Sequence, residues 1–293
     1  MELGQPSRTA LLAGMARARH QILDKGRIFR DPLALRILGP ELAAKLEADA
    51  QRGENRIARL LRGPLAARSR IAEDTLAEAV AARATQYVVL GAGLDTFSLR
   101  GSWPRGLARV FEVDHPATQA WKRRLVCDAG LQIPESVTWV PVDFEREEFM
   151  ARLFESGLSP DQPTVFSWLG VTVYLPRQTV MNTLRSIGTG CAPGSVVVFD
   201  YVRRPEPWDI FKRTALGLLS RRYRRMGEPW RCYLRERELR SELPGLGYTR
   251  VDFLDPAEIA RMLLAGRPLS AAQRQFGGLL GGVVRAWCGP GRP

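Results

Sequence analysis

One short run constrains this chain more than any other feature: QYVVLGAGLDTFSLR, residues 86–100. Its apolar start reads as a buried strand. Gly91, Ala92 and Gly93 read as a tight turn that brings backbone N–H groups up to a ligand, and the remainder reads as a helix. The same alternation continues downstream. YVVL, ARVFEVD, VTWVPVD, TVFSWLGVTVYL and SVVVFDYV are strand-like, and they alternate with helix-like segments such as ATQAWKRRLVCDAG and RQTVMNTLRSIGTG. This pattern predicts a parallel, doubly wound α/β sheet. YTRVDFLD and GLLGGVVRAWCG are candidate last strands, the second able to pair antiparallel.

Residues 9–84 are helical in composition, with turn signals around Pro32, Pro40 and Pro64. Residues 203–237 are too long for an ordinary connection. Ligands of open α/β sheets lie beyond the carboxyl ends of the strands, so this insertion reads as a lid over the pocket. The 293 residues are therefore expected to form one domain: a helical cap (1–84), a cofactor-binding half (85–202), the lid (203–237) and the last strands (238–293).

The formal net charge of +12 would suit an acidic partner. The charge is nearly all arginine, however, and is scattered without a lysine-rich tail or aromatic-interleaved motif, so a solvated basic surface is expected and no nucleic acid. Four cysteines and two histidines form no C-x-x-C pair, and neither a metal site nor a disulfide framework is expected. The amino terminus has no apolar stretch after a basic start, and nowhere do about 18 apolar residues run together. The expectation is a cytoplasmic protein without a membrane partner, monomeric or homodimeric.

A dinucleotide loop needs G-x-G-x-x-G, but here the run is GAGLDT. The third glycine is missing, and Asp95 stands where a diphosphate would be repelled. A ligand with a ribose and a positive charge tolerates that carboxylate, and S-adenosylmethionine is such a ligand. Asp114 ends VFEVD about 20 residues after the turn, the usual offset for a ribose-binding acid. Asp143 closes VPVD, where it could accept from the adenine amine while Phe144 flanks the ring. Each acid alone reads equally as a cap at a strand end.

IFRDPLA, ARSRIAED, VVLGAGLDTFSLR, VFEVDHP, VPVDFE, SWLGVTVYLP, GEPW and LGYTRVDFLDPAEI, in this order along nearly the whole chain, resemble the leucine carboxyl methyltransferase-like group of class I S-adenosylmethionine-dependent methyltransferases, in particular its actinobacterial branch. The resemblance implies a Rossmann-like α/β fold with a seven-strand, mostly parallel sheet whose last strand is antiparallel. It also implies Arg70 toward the cofactor carboxylate, Gly91 at the methionine part, Asp114 on the ribose, and Asp143 with Phe144 at the adenine. His115 reads as a turn residue over the adenosine. Several relatives carry Glu-Gly where this chain has Leu169-Gly170. Asp95 could replace that charge near the sulfonium, and Trp168 or Tyr174 could face it through their π systems; all three read equally as packing residues.

Methyl transfer yields S-adenosylhomocysteine and demands alignment more than acid–base chemistry. The resemblance implies a carboxylate acceptor, on a small molecule or peptide, and a carboxylate needs no base at neutral pH. Candidate acceptor-side groups are Arg203, Arg204, Trp230 and Arg231, with Tyr174 and Tyr201 at strand ends to orient the acceptor oxygen. A hydroxyl or amine acceptor, or a non-methylating role for the fold, are the alternatives; a nicotinamide oxidoreductase is argued against by GAGLDT.

Overall fold

The computed structural model describes residues 6–53, 56–206, 208–255, 258–259 and 281–289. Seven strands form one sheet in the order β3-β2-β1-β4-β5-β7-β6. They are β1 (Gln86–Leu90), β2 (Arg109–Asp114), β3 (Val137–Pro141), β4 (Thr164–Trp168), β5 (Val196–Asp200), β6 (Tyr248–Leu254) and β7 (Val283–Cys288). The first five pair in parallel, and β7 runs antiparallel between β5 and β6. Order and direction are those of the class I methyltransferase sheet, as the family resemblance implies.

Apolar runs become central strands because both faces are covered: every residue of β1 and of β4 is buried. One face packs Phe111, Phe166, Phe199 and Leu184 into the main core, and the other packs Tyr87, Val110 and Val165 against Leu76 and Val80. Strand order reverses between β1 and β4, so the crevice at their carboxyl ends is the place for a ligand.

Three helices precede the sheet: α1 (Arg8–Asp24), α2 (Pro40–Arg52) and α3 (Arg56–Ala81). Pro40 opens α2, as its turn signal predicts, because the first helical position needs no N–H donor. The break expected at Pro64 does not occur; α3 runs through it. Gly63 before it has no Cβ to meet the proline ring, which removes much of the clash that normally ends a helix there. The remaining helices are α4 (Phe97–Arg100), α5 (Pro116–Asp128), α6 (Phe149–Glu155), α7 (Arg177–Gly190), α8 (Ile210–Arg225) and α9 (Glu236–Glu242). The run TVFSWLGVTVYL is not one strand: β4 ends at Trp168, and Thr172–Tyr174 form a 3₁₀ turn. Tyr174 thus stands six residues past the strand whose end it was expected to mark.

Candidate active site

The carboxyl ends of the parallel strands open into a cavity of about 910 Å³, roofed by α1, part of α3 and α8. Its floor is the glycine turn. Gly91 has φ +66°, and a Cβ there would lie 2.2 Å from Val171 Cγ2, so no side chain fits. The turn amides are not free for a ligand as expected. Gly91 and Ala92 donate to the Val113 carbonyl at 2.8 and 3.1 Å, and Gly93 donates to Asp114 Oδ2. The reason is the obligation of buried amides to find acceptors, which β2 supplies. The turn contributes close approach and a positioned carboxylate instead.

Asp114 accepts from the Gly93 and His115 amides, the latter at 2.6 Å, and each oxygen retains a further lone pair. Burial pushes its carboxyl up to about 6 against the pull of those two donors. His115 caps α5, its Nδ1 accepting from the Ala117 amide at 3.3 Å. Asp143 lies two residues past β3 and accepts from the Glu145 amide at 3.0 Å. Phe144 tilts against the Phe149 and Trp168 rings. Gly91, Ala92, Gly93, Asp95, Asp114, His115, Asp143 and Phe144 all line the cavity.

Asp95 lines it too, but its charge is matched: Arg17 of α1 donates to it at 2.8 Å, and the Phe97 amide at 2.8 Å. Its carboxyl is driven down to about 2, because the nearby Arg17, Arg100 and Lys122 charges and the Phe97 amide outweigh burial. Glu73 of α3 is held by Arg100; burial nonetheless pushes it up to about 7.

Several expected residues lie elsewhere. Arg70 points to solvent and pairs with Asp74 one turn on at 2.7 Å; Arg68 lines the cavity instead, donating to Asp200 Oδ2 at 2.6 Å. Two positions on a helix are about 200° apart, so only one arginine of ARSR can face the sheet. Trp168 is fully buried in the core and does not line the cavity. Arg203 pairs with Glu236 at 3.4 Å and Arg204 is solvent-exposed; neither lines the cavity. Leu169 does, beside Ile71 and Val198, and the carboxylate of this wall is Asp200, which also accepts from the Gly170 amide at 2.6 Å.

Of the residues expected on the acceptor side, Tyr174, Tyr201, Trp230 and Arg231 line the cavity. Arg231 pairs with Glu145 at 2.8 Å. Tyr174, Tyr223, Trp230 and Tyr233 stack into one cluster with Val202 and Leu216, which makes the inner side of the lid a small core of its own. Burial pushes the phenols of Tyr174 and Tyr201 up, so both are neutral donors. Glu228, the acid of GEPW, has no role that the local sequence announces. It is buried, and it accepts from the Ser7 hydroxyl at 3.0 Å, the Arg8 and Thr9 amides at 2.6 and 3.3 Å, and the Thr9 hydroxyl. It ties the start of α1 to the lid. Arg19 of α1 lines the cavity half-buried, with no ion-pair partner among the described residues.

The sheet order and the glycine turn with its strand-end acid define a Rossmann-like methyltransferase. Comparison with known proteins agrees. The leucine carboxyl methyltransferase family model matches residues 10–188. The chain is 31% identical over 294 residues to the Bacillus subtilis protein named "Putative S-adenosyl-L-methionine-dependent methyltransferase YktD", covering 91% of this chain and 94% of that one. It is 29% identical to a similarly named Mycolicibacterium smegmatis protein, over 95% and 91% of the two chains. A solved structure described as a "putative methyltransferase" from Thermobifida fusca superposes with TM-score 0.59 at 17% identity, over 99% and 97% of the chains, a likeness of fold. This chain belongs to the leucine carboxyl methyltransferase family and is an S-adenosylmethionine-dependent methyltransferase. The cavity suits that cofactor, with the Gly91 backbone on its lining and open acceptor positions on Asp114. No described helix is long and apolar enough to cross a membrane.

Proposed function

We propose that the protein methylates a carboxylate on a small apolar molecule or peptide end. The observation that carries this reading is the state of the cavity's acids. Asp49, Glu73, Asp95, Asp114, Asp143, Glu145, Asp200 and Glu228 all line it, and each is held by a cation or by hydrogen-bond donors of the protein itself. The single lining histidine uses Nδ1 as a helix cap. An acceptor already ionised at neutral pH requires no proton transfer from such a wall.

When bound, S-adenosylmethionine supplies an electrophilic methyl group on a sulfonium. Asp114 would accept from the ribose hydroxyls, Asp143 from the adenine amine with Phe144 against the ring, and Arg68 would pair with the cofactor's carboxylate through the donors that Asp200 leaves open. Arg19 would hold the acceptor's carboxylate, and neutral Tyr174 and Tyr201 would orient the attacking oxygen. Leu12, Ala16, Leu23 and Leu65 give that side an apolar wall. The chain's part is to align the oxygen and exclude water.

The test is transfer of labelled methyl from S-adenosylmethionine to a panel of aliphatic and aromatic acids and their alcohols. The expected product is a methyl ester that releases methanol in alkali. One observation favours a hydroxyl acceptor: Glu73, near 7, would suit a general base. Under that reading the product resists alkali and Glu73→Gln abolishes turnover, whereas a carboxylate acceptor predicts substantial activity in Glu73→Gln.

A further inference from the structure

The side of α8 turned away from the cavity is unusual for a water-facing helix. Ile210, Phe211 and Leu218 are 73%, 55% and 63% exposed, and Trp208 just before the helix is 77% exposed. At 100° per residue, Ile210, Phe211, Thr214, Leu218, Arg221 and Arg225 fall within one arc of about 100°. The opposite side carries Leu216, Leu219 and Tyr223, packed in the lid cluster. Along the strip three large apolar residues, with Thr214 among them, are followed by arginine. Residues 210–227 contain six Lys and Arg and no Asp or Glu. Arg221, Arg222 and Arg225 are exposed and have no ion-pair partner among the described residues.

We infer that α8 docks on an anionic lipid surface. A helix lying in a membrane interface needs an apolar strip to enter the acyl boundary and cations at the phosphate level, and this side of α8 offers both on a single rod about 24 Å long. The net charge of +12 complements such a surface. Leu219, Arg222 and Tyr223 of the same helix line the cavity, so the docking helix is also part of its wall. This revises the expectation of no membrane partner without invoking a spanning segment.

The experiment is co-sedimentation with vesicles of phosphatidylcholine alone and of phosphatidylcholine mixed with phosphatidylglycerol, without cofactor or acceptor, so that its outcome is independent of the proposed methyl acceptor. The full chain is expected to bind only the anionic vesicles, with affinity falling as salt rises. Arg221→Gln/Arg225→Gln is expected to weaken binding about thirtyfold, and Phe211→Ser/Leu218→Ser to abolish it. Both double variants should melt with the parent in vesicle-free buffer and keep its thermal shift with S-adenosylhomocysteine. The inference is overturned if the parent stays in the supernatant or if both variants bind as it does. It is also overturned if Phe211→Ser/Leu218→Ser lowers the melting temperature by several degrees, since the chain itself then covers the strip. A parent dimer that the same variant dissociates overturns it as well, in favour of self-association.

Discussion

The two sides of the cavity are built by different means. The cofactor side is local: a turn, a strand end and a helix cap within residues 90–117 hold one another through backbone hydrogen bonds, with Asp114 as the hub. The side proposed for the acceptor is assembled from α1, α3, α8 and the turn after β4, and its main tie is Glu228, about 220 residues from the hydroxyls and amides it accepts from. A site made of neighbours is set once its strand forms, whereas a site made of distant pieces depends on every piece arriving. Substrate choice can therefore change by altering the second without disturbing the first.

Four experiments sharpen this contrast. The largest effect is expected beneath the cofactor side. Glu112 and Lys122 form a fully buried pair at 2.6 Å, with Ser98 also on Glu112. Lys122→Met leaves that carboxylate buried and unpaired and should cost about 3–5 kcal/mol in urea unfolding; adding Glu112→Gln should restore much of it. Gly91→Ala comes next, since it meets Val171 and strains a positive φ, at about 1–3 kcal/mol. The thermal shift with S-adenosylhomocysteine should vanish and return in part with Val171→Ala.

On the other side, Glu228→Ala should cost about 1–3 kcal/mol through the donors it orphans. It should raise KM for the acceptor while leaving S-adenosylhomocysteine affinity within a few-fold, by calorimetry; equal losses in both would show that the two sides are not separable. The smallest effect is in pH. On the proposed reading ribose hydroxyls donate to ionised Asp114, whose free-state value is about 6, so protons would compete with the nucleoside below it. Affinity should be flat above that pH and fall up to tenfold per unit below it, and Asp114→Asn should remove the dependence.

The same division governs what could be read in advance. Asp114, His115, Asp143 and Phe144 were legible because strand ends and turns announce themselves in local sequence, and the structure brings all four to the cavity. Arg68 was within reach: the buried stripe Ala67, Ile71 and Ala72 shows which arginine of ARSR turns inward. For Arg17 on Asp95, Arg19 or Asp200 there was no such signal, because a lone charge on a helix or strand end names no partner. Arg203 and Arg204 looked like acceptor ligands by position after β5, yet the chain there bridges to Leu234 and carries them outside.

By itself the sequence determined the class of fold, the order of its strands and helices, and the place of the glycine turn, since hydrophobic periodicity and glycine punctuation act over a few residues. Only the tertiary structure decided which charges meet, which arginine faces inward and what closes the acceptor side. Those outcomes depend on burial and on distances between elements far apart in the chain, which no local pattern encodes.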